Sequence, residues 1–175
     1  MFNWHSVVIE GLLPAVAGDK VWEACLRTLV ADENSPTGLH LAIFVEPYLT
    51  YVLDGKKTVE SRFGVHRNAP YGQVAPGDII LLKRSSGPIL GVCKVSDVWF
   101  YCLDPDSWTK LRKDYADALC ARDPGFWEQR KRASFATLMR LDSVRPVPPI
   151  EFVKQDRRGW VVLRSSLGHG RMFSH

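Results

Sequence analysis

Long apolar runs are missing from this 175-residue chain: the longest, Leu39 to Val45, is interrupted by His40 and falls far short of the ~20 residues that a membrane-spanning helix needs. Cysteine is scarce. The four residues at 25, 93, 102 and 120 form no CxxC pair and have no histidine at ligand spacing, so no metal site is predicted. They read as reduced, mostly buried thiols of a cytoplasmic protein. Also absent are GxGxxG, a P-loop, GxSxG and HExxH, which removes the enzyme classes built on them, and no cofactor is predicted. Leu12-Leu13-Pro14-Ala15-Val16-Ala17 ends in an A-x-A pattern, but Glu10 and Gly11 interrupt it and no Lys or Arg precedes it, so it is not read as a secretory signal. No repeat or low-complexity tract is visible. What is there is ordinary globular composition, 46% hydrophobic and 24% charged, at a length that suits one core without staples.

The net charge of +4 is unevenly spread. Residues 1–55 hold two Lys or Arg against seven Asp or Glu, whereas 56–102 hold seven against three and 143–175 hold six against two. Segregated basic charge is one mark of a polyanion-facing surface.

Residues 19–31 place Val21, Trp22, Cys25, Leu26 and Leu29 on one helical face, with Asp19 as N-cap. The polar run 32–38 ends that helix and divides an acidic N-terminal extension, residues 1–38 with one helix, from a main domain over 39–164 and a tail over 165–175. In the main domain, 39–45 is a strand and Pro47 opens a short helix closed by Gly55. Residues 57–63 alternate as a half-buried strand, and 79–84 and 89–98 form two adjoining strands. Residues 104–121 and a second segment from Asp123-Pro124 read as helices, and 133–144 and 159–163 as closing strands joined through the Pro146 to Pro149 run. Predominant strands without regular crossovers predict an α+β fold, a small mixed β-barrel with flanking helices.

One segment carries chemistry. Alternation sends Thr58, Glu60 and Arg62 to one strand face and Val59 and Ser61 to the other, with Lys57 at the corner that Gly55 permits. Glu60 within reach of Lys57 and Arg62 would hold both as oriented donors, and Tyr48 or Tyr51 would add an aromatic wall for a phosphate or a flat base. Opposed to this stands an exposed, ion-paired strand face worth under about 1 kcal/mol. Lys83, Arg84 and Lys94 extend the basic surface along neighbouring strands. Arg130-Lys131-Arg132 reads as a cationic helix end complementing the dipole, and Trp99-Phe100-Tyr101 as core. The five histidines are single; His66, in the Gly/Asn/Pro-rich loop after the candidate strand, is the one placed to serve as a general base, and His40 reads as structural.

Gly55, Lys57, Glu60 and Arg62, preceded by Glu46-Pro47-Tyr48, resemble the G-x-K-x-x-E-x-R signature of the ASCH family of PUA-like β-barrels. Gly77-Asp78-Ile79-Ile80 is similar to its GD turn, Gly91 to Val95 to its central strand, and Gly159 to Leu163 to the closing strand, so the resemblance spans about residues 39–164. It implies an RNA- or nucleotide-binding module in which Tyr48, Lys57, Arg62, Lys83 and Arg84 contact single-stranded RNA or a modified nucleobase. It implies as alternative an amidohydrolase removing acetyl from acetylated cytidine through Lys57, Thr58 and Glu60, or a ribonuclease. The hydrolase pattern has a second threonine where this chain has Glu60, whose charge would keep Lys57 protonated, so binding is the reading preferred here. Asp114 or Asp117 would stand for that pattern's later glutamate. The partner of the acidic extension is unknown.

Overall fold

The computed structural model describes residues 3–154 and 156–166, so His169, His175 and most of the predicted tail lie outside the described residues. Six strands form one mixed sheet in the order β2-β5-β4-β3-β1-β6, curled into a half-barrel: β1 Leu39–Phe44, β2 Val59–Gly64, β3 Ile79–Arg84, β4 Ile89–Cys102, β5 Phe135–Ile150 and β6 Trp160–Arg164. Only the β1·β3 pair is parallel; the others are antiparallel.

Strand β3 explains where the cores sit. Its apolar run Ile79-Ile80-Leu81-Leu82 is buried on both faces, as in sheets covered on both sides. Ile79 and Leu81 meet Leu39 and Leu41 of β1 and the N-terminal helices, whereas Ile80 and Leu82 meet Ala42, Phe44, Cys93 and a short helix, α3, over Tyr48–Leu53. A third cluster, with Val59, Leu111, Leu119, Phe126 and Trp127, gathers α4 (Pro105–Tyr115) and α5 (Pro124–Glu128) against β2 and β5.

The N-terminal region holds two helical segments where the sequence predicts one. The first, α1, runs through Trp4–Ser6, the π-helical Val7–Leu12 and Leu13–Ala15; α2 covers Lys20–Ala31. Asp19 caps α2, accepting from the Trp22 amide at 3.2 Å. Trp22, Leu26 and Leu29 are its buried stripe, while Val21 on the flank stays exposed. These helices supply Val8, Leu12, Val16, Trp22, Leu26 and Leu29 to the sheet's first face.

Other differences have local causes. Helix α4 begins at a capping box of Asp104 and Ser107 but stops at Tyr115, and the chain then turns through Cys120 at φ 54° to bury Leu119 and Ala121. Strand β5 continues through the proline run: pairing jumps from Ile89↔Ile150 to Gly91↔Pro146, and the irregularity accommodates residues that cannot donate to the ladder. Trp99 and Tyr101 are half-buried and pack against the third cluster, whereas Phe100, alternating to the other face of β4, is exposed. Of the cysteines only Cys93 is buried, Cys102 being exposed and the other two intermediate. Among the described residues no helix is long and apolar enough to cross a membrane and no cluster of potential metal ligands occurs.

Candidate functional site

The left-handed turn at Gly55 (φ 74°) reverses the chain after α3, and the amides of Lys56 and Lys57 donate to the Tyr51 carbonyl, 2.9 Å away in each case. Lys57 is thereby aimed under the sheet rather than outward. Strand alternation then buries Val59 in the third cluster and directs Glu60 and Arg62 to the opposite side.

Lys57, Glu60 and Arg62 form an ion triad, buried at Lys57 and Glu60 and half-buried at Arg62. Lys57 Nζ lies 3.3 Å from Glu60 Oε2 and donates to the Leu119 carbonyl at 3.2 Å, and the two side chains are 3% and 7% exposed. Arg62 Nε stands 2.8 Å from Glu60 Oε1, though its N–H is not aligned for a hydrogen bond, so this contact is an ion pair. Its other two nitrogens reach across the barrel opening: Nη1 donates to the Gly159 carbonyl at 2.9 Å and Nη2 to that of Ile43 at 3.0 Å. Arg62 in edge strand β2 thus ties that edge to β1 and the entry to β6, and its guanidinium is stacked near Phe44 and Trp160. Burial pushes the Lys57 ammonium below the usual lysine value and outweighs the opposing pull of Glu60. Glu60 does act in the expected direction, toward the charged amine, but burial is the larger effect.

The triad lies along a cleft of about 360 Å³, within the size range of small-molecule sites. Tyr48 and Phe126 supply aromatic walls; the Tyr48 ring centroid is 5.7 Å from Lys57 Nζ. Arg130, from just beyond α5, also faces the cleft with its guanidinium 3.7 Å from the Phe126 ring centroid, and donates to the Phe126 carbonyl at 2.7 Å. Its burial pulls the guanidinium below its usual range. Glu60 is the sole acid among the described lining residues, against three cations.

The other predicted site residues are elsewhere. Thr58 is exposed and outside the cleft lining, its amide bonded to the Ala118 carbonyl at 3.0 Å. Lys83 is buried and donates to the carbonyls of Arg84 and Gly87, in a neighbouring recess. Arg84 is a surface partner of Glu46 at 3.1 Å. Asp114 pairs with Lys110 and Asp117 with Arg122, both away from the cleft. His66 is an exposed residue of another small recess. His40 is fully buried between Asp78, 2.9 Å from Nε2, and Trp160, whose Nε1 donates to Nδ1 at 3.2 Å, the structural role expected of it. Phe126 and Arg130 are the cleft residues that sequence reasoning missed; their four-residue spacing on a helix end is the signal that could have found them.

A mixed sheet curled this way, with its cleft at the β2 edge, defines a PUA-like barrel. The chain belongs to the ASCH domain family, whose model matches residues 43–139, from the end of β1 into β5. Among solved structures it is similar to an ASCH protein from Zymomonas mobilis, at 17% identity and a TM-score of 0.59, covering 72% of this chain and 87% of that one. Two single-residue variants of that protein, tyrosine to phenylalanine and serine to alanine, align with TM-scores of 0.57 and 0.58, each at 15% identity over 72% of this chain and 90% and 88% of theirs. At such identities the likeness is one of fold. No curated protein sequence matches the chain.

Proposed function

We propose that the cleft binds a nucleotide of single-stranded RNA, its base against Tyr48 or Phe126 and its phosphate near Arg130. The observation that carries this is the placement of three cations, one acid and four aromatic rings, Tyr48 and Phe126 among them, around a single recess of about 360 Å³. Aromatic faces accept bases by stacking, and guanidinium groups accept phosphate oxygens. Lys57, Glu60 and Arg62 hold one another and so offer a preorganised floor, while Arg130 is the cation least committed to the barrel. Fluorescence-anisotropy titration of a labelled single-stranded RNA at several salt concentrations tests it. Binding should weaken with salt, and Arg130→Ala should weaken it at fixed salt; absence of binding at low salt overturns the proposal.

One observation favours a second reading, amide hydrolysis on an acetylated cytosine-like base: Lys57 is buried in the cleft lining, where loss of water pushes its ammonium below the usual lysine value and toward use as a proton acceptor. Lys57 would take a proton from the attacking water, the acyl C–N bond would break, and that proton would pass to the departing amine. Chromatography of acetylated cytidine incubated with wild type and Lys57→Met decides between the readings. Product formed by wild type and lost in the variant establishes the hydrolase; turnover equal to buffer leaves a binding site.

A further inference from the structure

A second recess, of about 540 Å³, adjoins the cleft and has no part in the function proposed above. Ile43 lines both. Between them stands Gly159, whose carbonyl receives Arg62 Nη1, and a Cβ built on Gly159 would lie 3.2 Å from that nitrogen. The wall is therefore one guanidinium and one glycine thick, a place where backbone can be approached closely.

The recess is basic. Lys83, Lys154, Arg157 and Arg158 line it against Glu151 and Asp156. Asp156 is occupied by Lys154 and Arg158, and Arg157 has no carboxylate partner among the described residues. Lys83 uses two of its three donors on the backbone carbonyls of Arg84 and Gly87, and burial followed by the nearby Lys154 charge pushes its pKa down against the smaller opposing pull of Glu151. Two ammonium groups held close together gain from an anion placed beside them. The Ser85 and Ser86 hydroxyls also line the recess and make no side-chain hydrogen bond with the described residues.

We propose that this recess receives the phosphate of the nucleotide next to the one held in the cleft, so that the ligand is a strand of two or more nucleotides rather than a free nucleoside. The inference rests on the cleft being a nucleotide site and adds the substrate's length. A strand lying across Gly159 places one residue on each side of the Arg62 wall, with phosphate oxygens meeting Lys83, Lys154 and Arg157. Arg157 contributes charge that no internal ion pair cancels.

Calorimetric titration of cytidine monophosphate, cytidine diphosphate and a tetracytidylate tests it, using wild type, Arg157→Glu, Lys154→Ala/Arg157→Ala and Arg130→Ala. Wild type should bind the tetranucleotide about tenfold more tightly than the monophosphate, the scale of one charge-assisted contact. Both recess variants should lose that advantage while binding the monophosphate as wild type does. Their salt dependence for the tetranucleotide should be shallower by roughly 0.7 per phosphate contact removed. Arg157 is exposed, so its single variant keeps the test independent of any folding defect in the double one. Tetranucleotide affinity unchanged in both recess variants, or an equal gain from the diphosphate, overturns the strand assignment while the cleft stands. Monophosphate binding that is absent in wild type, or indifferent to Arg130→Ala, overturns the cleft reading and this inference with it.

Discussion

Arg62 is a closure as well as a wall of the cleft. Its two backbone acceptors, Gly159 and Ile43, belong to parts of the chain that no ladder joins to β2. Arg62→Ala leaves both carbonyls and one side of Glu60 without that cation, and should cost about 2–3 kcal/mol in urea unfolding. Arg130→Ala should cost under about 1 kcal/mol, because its loss opens no seam between strands. Equal stabilities for the two variants would contradict the closing role. Lys57 gives a pH prediction. Its folded pKa is depressed by burial, so the folded state bears the full cost of a buried ammonium below that value. As pH rises through it the folded protein sheds the proton while the unfolded chain keeps it up to the ordinary 10.5, so between the two values stability rises. Wild type should therefore gain stability relative to Lys57→Met on going from neutral pH toward 10.5 in paired urea titrations; a flat or falling difference would contradict this. The triad was legible from spacing, since 57, 60 and 62 meet across one turn and one pleat. Its burial was not, because the Leu119 carbonyl that covers Lys57 is 62 residues away in sequence.

Among the elements, α2 shows how far pattern reaches. Asp19 and the Trp22, Leu26, Leu29 stripe specify a helix and its inward face, but not the strand surface that this face covers. That surface is β1 and β3, whose apolar runs admit burial on both sides. Leu26 is fully buried there, so Leu26→Ala should cost about 2–5 kcal/mol in urea unfolding. A cost near zero would show the extension to be dispensable to the core. The region after β4 was less legible. Trp108, Leu111, Tyr115 and Leu119 stand at helical spacing, and with Phe126 and Trp127 they do pack into one cluster, but their pattern does not show that β2 and β5 are the strands they pack on. The consequence was functional. Arg130 read as a helix-end cation, whereas the packing of Phe126 turns it into the cleft.

For the whole molecule, the segregation of charge along the chain becomes a spatial arrangement. The acidic N-terminal stretch supplies the helices on one face of the sheet, and cations just before and within β2, at the end of β3, just beyond α5 and in the segment before β6 surround the cleft and the recess beside it. Two cavities that share Ile43 could not be foreseen from sequence, since their linings come from five separated stretches brought together by the curl of the sheet. The central claim is that this cleft, rather than another basic surface, receives the nucleotide. A backbone-amide NMR titration with cytidine monophosphate tests it most directly. Resonances of Val45 and Tyr48, of Glu60 to Phe63, and of Phe126 to Arg130 should move together and saturate with one midpoint, and Arg130→Ala should raise that midpoint. Shifts confined to other basic surfaces, such as α4, or no saturable shifts at all, would contradict it.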